Sequence, residues 1–305
     1  MWHSTRARST VLLVVLLVGL VTSFLSAYGY SLNHFLSATV FSGGERCDPG
    51  LLCVYFLDVG QGDAIFIETP DGHQMLIDGG PGSDVLRELG AVMSFFDRTI
   101  DVVLATHPDQ DHVGGLVDVL DRYTVGAVLM TENKSDTPVY NRLTEAVSDE
   151  GAAVHYARAG DTLVLGEGVA GEVRFEVLYP DRDPTLLESN TSSIVGRLVY
   201  GDTEWMLTGD APQAIEEYLV ALFGVTLHSD VLKVGHHGSK TATAETFVSA
   251  VAPDYAVISA GKNNRYGHPH QEVLDTLEAA GIEIKNTADE GSIKFSSDGA
   301  WVSVE

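Results

Sequence analysis

The sequence predicts an α/β sandwich, and three observations carry that expectation. Short β-rich runs bounded by turn residues alternate with stretches of helical patterning along most of the chain. The 45% hydrophobic content of the 305 residues supports a packed core rather than disorder. Residues 45–305 show no fixed-period repeat and no low-complexity linker, so they read as one domain.

In chain order, 51–59 (LLCVYFLDV), 64–69 and 74–80 form a strand meander, with Pro70-Asp71-Gly72 as a tight turn. Helical patterning over 83–96 precedes a hydrophobic strand at 100–105. Further strands are expected at 125–130, 153–157, 172–179, 194–200, 204–208, 230–234 and 255–259. Helices are expected near 139–149, 212–223, 243–251 and 270–280, and a closing hairpin at 292–304 turns on Asp298-Gly299.

Residues 1–44 read as an N-terminal membrane anchor or signal segment with its linker. No Asp, Glu, Lys or Arg lies between Arg8 and Glu45, and Val11–Leu25 is an apolar core. A membrane span needs about 20 apolar residues and a signal core about 7–15, so the stretch suits either a retained hydrophobic helix or a cleaved signal. Arg6 and Arg8 would stay cytoplasmic, placing the rest outside, membrane-anchored or secreted. Cys47 and Cys53, the two cysteines, are close enough for a short-loop disulfide in such an oxidising compartment, with two separate thiols as the alternative.

With 18 Lys+Arg against 43 Asp+Glu, the net charge of −25 argues against a broad basic surface for gripping nucleic acid. It does not exclude phosphate chemistry conducted through metal ions.

The polar residues that end the strands are more informative. Thr106-His107-Pro108-Asp109-Gln110-Asp111-His112 follows a hydrophobic strand and places four potential ligands within six residues. Two neighbouring aspartates repel unless a cation compensates them. A helix cap near His112 would account for one aspartate but not for the whole set. Asp210 ends the strand Trp205–Gly209, His236 and His237 end the strand Val231–Gly235, and His268 follows Ile258–Gly261 and a polar loop. Strand C-termini are where open α/β sheets hold ligands.

On Phe56–Ala64 (FLDVGQGDA), Leu76–Gly80 (LIDGG), His107–Gly115, Asn190–Gly201, Leu207–Asp210 (LTGD), Leu232–Ser239 (LKVGHHGS) and Asn263–Pro269 (NNRYGHP), the chain resembles metallo-β-lactamase-fold hydrolases. It is most similar to the subgroup typified by the hydrolase-like domain of the competence protein ComEC, over about 51–305. The resemblance implies an αββα sandwich of two mixed sheets flanked by helices. It departs from the superfamily's usual HxHxDH motif, with Asp109 at the third position, and Ser189–Ser193 lies where another histidine ligand would fall. Both departures are shared with the competence-type subgroup. Proteins of that type carry a multi-spanning channel, so DNA transport is not implied for this chain.

The resemblance implies two divalent metal ions, Zn²⁺ or Mn²⁺. His107, Asp109, His237 and Asp210 are assigned to one, and Asp111, His112, Asp210 and His268 to the other, with His236 able to exchange with His237. Such ions lower the pKa of a shared water and offset charge in an in-line displacement at phosphorus. Asp111 is expected to serve the chemistry as well as a metal, and His236 and Lys240 to bind phosphate oxygens or protonate a leaving group. Asp58, Asp63 and Asp78 are expected to orient ligands or hold turns. Asn190, Ser192 and Ser193 are candidates for phosphate or loop contacts. His73, His155, His228 and His270 have no motif context. The functional expectation is a metal-dependent phosphodiesterase, with a nuclease on extracellular single-stranded DNA as one form. The competing readings are a surface phosphocholine-type esterase and a catalytically silent metal-binding module.

Overall fold

The computed structural model describes residues 46–305; the expected N-terminal anchor or signal segment and its helix lie outside the described residues. Among the described residues no helix is long and apolar enough to cross a membrane.

The meander appears as β1 (Leu52–Phe56), β2 (Ile65–Glu68) and β3 (Gln74–Ile77). It is followed by helix α1 (Asp84–Val92), β4 (Thr99–Ala105), α2 (Gln110–Leu120), β5 (Thr124–Met130), α3 (Pro138–Glu150) and β6 (Ala153–Tyr156). These strands, with β14 (Ile293–Ser297) and β15 (Val302–Val304), make an eight-stranded sheet of order β15-β14-β1-β2-β3-β4-β5-β6.

The second sheet contains β7 (Thr162–Gly168), β8 (Gly171–Tyr179), β9 (Val195–Tyr200), β10 (Thr203–Leu207), β11 (Val231–Lys233), β12 (Tyr255–Ile258) and β13 (Glu283–Asn286). Its order is β13-β12-β11-β10-β9-β8-β7. Helices α4 (Gln213–Phe223), α5 (Glu245–Val251), α6 (Gln271–Ala279) and the short α7 (Thr287–Glu290) belong to this half.

Side-chain alternation explains the layering. In β1, Leu52, Val54 and Phe56 enter the core between the sheets, beside Trp205 and Leu207 of β10 and Phe295 of β14. Cys53 and Tyr55 point the other way, into the layer formed with α1, α2 and α3. A strand covered on both faces must be apolar throughout, which is why 51–59 reads as a nearly unbroken hydrophobic run. On the far side, Met206, Leu232, Ala256 and Ile258 pack with Leu219, Phe247 and Val273 of the helices. The result is the αββα sandwich with two mixed sheets.

Two strands were not expected from sequence. In β7 only Leu165 is buried, and a register shift between Val164 and Gly166 breaks its alternation. β13 (EIKN) is a polar edge strand. Both lack the apolar period that reveals a strand. Cys47 and Cys53 are disulfide-bonded, with Cα atoms 5.7 Å apart.

Strand direction positions the site. β3, β4, β5 and β6 run parallel, as do β10, β11, β12 and β13, so their C-terminal ends line up along one edge of each sheet. The loops after β4, β10, β11 and β12, with the first turn of α2, carry every histidine and aspartate expected to bind metal.

Candidate metal centre

The loop after β4 is held by buried hydrogen bonds beneath it. Asp78, left-handed at φ 57°, accepts from the Thr106 amide (2.8 Å) and the Thr106 hydroxyl (2.7 Å). Its Oδ2 also lies 2.8 Å from His112 Nδ1. Thr106 Oγ1 is 3.0 Å from His107 Nδ1. Both rings are thereby anchored at Nδ1, with centroids 4.1 Å apart, and present Nε2 to the other half of the molecule. Close backbone approach makes this possible. A Cβ on Gly115 of α2 would collide with the carbonyl oxygens of Gly79 and Gly82, which explains the glycine pair after His112.

Asp109 occupies the position before α2, but its carboxylate makes no cap bond. It accepts instead from Ser189 Oγ (2.5 Å), and its other oxygen lies 3.8 Å from His107 Nε2. Capping therefore does not explain this aspartate.

Asp210 is the point of convergence. Its Oδ1 lies 3.3 Å from His112 Nε2, and its Oδ2 is 3.9 Å from His107 Nε2 and 3.6 Å from Nε2 of both His236 and His237. Ser193 Oγ accepts from the Asp210 amide (3.2 Å), so this serine supports the aspartate from the loop before β9.

His236 and His237 are left-handed at φ 48° and 56°. Strain of roughly 1–3 kcal/mol per such residue persists only where its surroundings over-determine it, as at binding sites. Burial separates the two. His237 is 1% exposed; its Nδ1 is 3.0 Å from the Ser259 carbonyl and 3.2 Å from Asp63 Oδ1, and its Nε2 faces Asp111 Oδ2 at 3.4 Å. The His236 side chain is partly exposed, with Nδ1 3.0 Å from Thr241 Oγ1. His268 lies at the rim, its centroid 5.6 Å from that of His236 and 6.3 Å from that of His237. The two expected ligand sets interleave, because His237 and Asp111, assigned to different ions, face each other.

The residues fit a metal. The Nε2 atoms of His107, His112 and His237 and the Oδ1 of Asp210 are buried without a hydrogen-bond partner, a costly state for polar atoms unless another ligand completes it. Asp63, His112, Asp210 and His237 also bring one ligand atom each within 4.8 Å of one another. In Asp63 the second oxygen is taken by Lys233 Nζ (2.9 Å), so this carboxylate equally orients His237.

Charge complementarity dominates the electrostatics. Burial opposes protonation of His112, but Asp210 and Asp78 outweigh it and hold its pKa well above the usual imidazole value. Burial likewise opposes charge on His237, yet Asp210 and Asp63 bring it up to about 9. His107, desolvated and beside His112, is pushed down to about 4. His268 also falls to about 4 through desolvation and the neighbouring His236. Burial disfavours the charged form of Asp210, but His112 and His237 hold it well below the usual carboxylate range.

Lys233, within the stretch Leu232–Ser239, is fully buried in its pair with Asp63 and cannot reach a ligand. Lys240 is exposed, and its amide donates to His270 Nδ1 (3.2 Å). His270 thus joins the rim, its centroid 4.9 Å from that of His268. Asp58 accepts from the Gly60 amide (3.1 Å) and serves a turn. His73 and His155 pair with exposed aspartates elsewhere. Beside the cluster lies an open cavity of about 440 Å³, with Gln61, Asp111, Asn264, Arg265 and Tyr266 among its walls. Gln61 lies in the Phe56–Ala64 stretch and Asn264, Arg265 and Tyr266 in the Asn263–Pro269 stretch that carry the resemblance, but apart from Asp111 none was assigned a metal.

Known proteins resemble this chain. ComE operon protein 3 of Bacillus subtilis (strain 168) is 34% identical over 290 residues, covering 85% of this chain and 36% of that protein. Competence protein ComA of Neisseria gonorrhoeae is 32% identical over 241 residues, covering 78% of this chain and 31% of that protein. The chain therefore spans about a third of the length of these curated relatives. The metallo-β-lactamase fold protein YhfI from Bacillus subtilis shares the fold, with a TM-score of 0.53 at 12% identity over 81% of this chain and 99% of that one. The family model of the metallo-β-lactamase superfamily covers residues 57–262, from the end of β1 to the loop after β12, and the chain belongs to that superfamily.

Proposed function

We propose that this chain is a metal-dependent phosphodiesterase acting outside the cytoplasm, with single-stranded DNA as a substrate to be tested first. The observation that carries the reading is the convergence of three buried, unpartnered imidazole Nε2 atoms and Asp210 beside an open cavity. His107, Asp109, Asp111, His112, Asp210, His237 and His268 would hold two divalent ions, Zn²⁺ or Mn²⁺. Bound there, the metal would supply Lewis acidity toward a phosphoryl oxygen and lower the pKa of a water.

The remaining roles fall to residues on the open side. Thr241 anchors the His236 ring, whose exposed edge is suited to contact a phosphate oxygen or return a proton to the leaving group. Charge distribution supports an anionic substrate. Despite 43 acidic residues, Lys240, Lys262 and Arg265 make no ion pair with a carboxylate among the described residues, and all three lie on loops bordering the site. Their charge remains available to phosphate. The Cys47–Cys53 disulfide and the apolar stretch 11–25 support an oxidising, extracytoplasmic location with membrane attachment. The Neisseria gonorrhoeae relative is named a competence protein, which makes DNA the first substrate to try.

The test is hydrolysis by the full chain, with Mn²⁺ or Zn²⁺, of single-stranded DNA and of bis-p-nitrophenyl phosphate. Chelator-sensitive cleavage of both is expected. Cleavage of the small diester alone would point to another ester, such as a phosphocholine-type head group. Metal binding with neither activity would overturn the phosphodiesterase reading.

A further inference from the structure

We propose that Glu216 is a positioning residue for the metal centre, tying the Asp210 loop to the His236–Lys240 loop from behind. The inference rests on the metal-centre reading above.

Glu216 lies on the first turns of α4, the helix that starts directly after the Asp210 loop, and is 1% exposed. Its Oε1 accepts from the Thr243 amide at 2.8 Å, and its Oε2 accepts from the Ala244 amide at 2.7 Å. The same helix reaches the loop at its first residue. The Gln213 amide donates to the Thr241 carbonyl (2.8 Å), and Gln213 Nε2 donates to the carbonyls of Lys240 (3.3 Å) and Ala242 (3.2 Å). Gly235, next to His236, completes the contact: a Cβ there would lie 3.3 Å from Glu216 Oε1 and 3.4 Å from the Ala211 carbonyl. The buried carboxylate therefore abuts Gly235, the neighbour of His236, and Gly235 in turn lies close to the carbonyl of Ala211, the neighbour of Asp210.

Local sequence leaves this task to a distant side chain. Thr243 is left-handed at φ 66°, and the residue preceding α5 is Ala244, which has no side-chain acceptor. A capping box would place Glu or Gln at the third position of α5, where this chain has Phe247. Glu216 supplies the missing acceptor from another helix, and in doing so fixes the loop that carries His236, His237 and Lys240 relative to Asp210. Burial pushes its carboxyl up to about 7, a cost that its two amide partners only partly offset.

The experiment is titration of the full chain with Mn²⁺, followed by calorimetry, for the wild type, Glu216→Gln, Glu217→Gln and the double variant Glu216→Gln/Ala244→Ser. In Glu216→Gln the new carboxamide would present an N–H to one of the two backbone N–H groups, breaking half of the clamp. Loss of a group that orients metal ligands lowers metal affinity by about 10–100-fold, and a fall of that size is expected for Glu216→Gln. The exposed Glu217→Gln control should match the wild type. The serine introduced by Ala244→Ser restores a local helix cap, so the double variant should recover thermal stability while its Mn²⁺ affinity stays low. Affinity that recovers together with stability would reduce Glu216 to a helix cap and overturn the proposal. Unchanged affinity in folded Glu216→Gln would overturn it as well, as would a wild type that binds no Mn²⁺. A wild type that binds Mn²⁺ but hydrolyses no phosphodiester would defeat only the functional reading, since the affinity difference is still measured.

Discussion

The two halves of the sandwich build their shares of the site in different ways. The first half places His107, Asp109, Asp111 and His112 within six residues spanning the loop after β4 and the first turn of α2, and orients the histidines through the buried Asp78–Thr106 network. The second half gathers Asp210, His236, His237 and His268 from three loops spread over residues 210–268, through the parallel pairing of β10, β11 and β12. Its histidines are oriented by the Ser259 carbonyl and by Asp63, which reaches across from the β1–β2 loop of the first half and pairs with the buried Lys233 of β11. The first half's ligands are neighbours in the chain and need only Asp78, brought in by the pairing of β3 with β4, whereas the second half's ligands are themselves assembled by the register of a sheet. Loss of a group that orients the first half's ligands should therefore act on metal binding, and loss of a group that supports the second half's strands on metal binding and folding together.

The largest effect is expected where the halves meet. Asp210 approaches His107, His112, His236 and His237 at once, so Asp210→Ala should lower Mn²⁺ affinity by more than about 100-fold and bring hydrolysis to background. Calorimetric titration and a diester assay measure both. Retention of two bound metals by the variant would disprove the shared role.

Asp63→Asn sharpens the contrast by removing, from the β1–β2 loop, the support of Lys233 and His237 in the second half. It leaves the Lys233 ammonium buried without its anion, which should cost about 3–5 kcal/mol of stability. The urea unfolding midpoint reads this directly; a midpoint equal to that of the wild type would mean the pair contributes nothing to folding.

In the first half, Asp78→Asn keeps the shape of the side chain but weakens its hold on His112 and Thr106. Metal affinity should drop by about 10–100-fold with a smaller change in stability than Asp63→Asn produces. If unfolding is affected more strongly than metal binding, the distinction between the halves fails.

The smallest effect concerns pH. Burial, together with the nearby Glu217 charge, raises Glu216 from 4.5 to about 7, so the folded state keeps this proton to higher pH than the unfolded state. Its contribution to stability is therefore fully present below the ordinary carboxylate value and is lost as pH rises through about 7. Glu216→Gln should flatten the decline of stability across that window, as followed by unfolding at several pH values. A slope identical to the wild type would exclude Glu216 as its source.

Much of this site was legible because metal chemistry concentrates unusual residues. His107 to His112 stands out in any reading, and the recurrence of Asp210, His236-His237 and His268 at strand ends pointed to convergence. Asp63 was expected to orient ligands or hold a turn, and Lys233 sat without an assigned role in the stretch before His236; only folding showed them as one buried pair. Glu216 carried no signal, since a glutamate in an amphipathic helix normally faces water. The edge strands β7 and β13 were missed for the complementary reason that they bury too little to impose a period.

What the sequence determined by itself was the layered α/β architecture and most of the histidines and aspartates that converge at the candidate site. Both follow from local rules: apolar period reports which faces are buried, and a dense set of His and Asp is stable only with a compensating charge. The tertiary structure decided which nitrogen each histidine presents, that His237 is buried while His236 is open, and which cations are left for a substrate. Those properties depend on partners far apart in the chain, brought within 4 Å by sheet register and helix packing, and no local pattern encodes them.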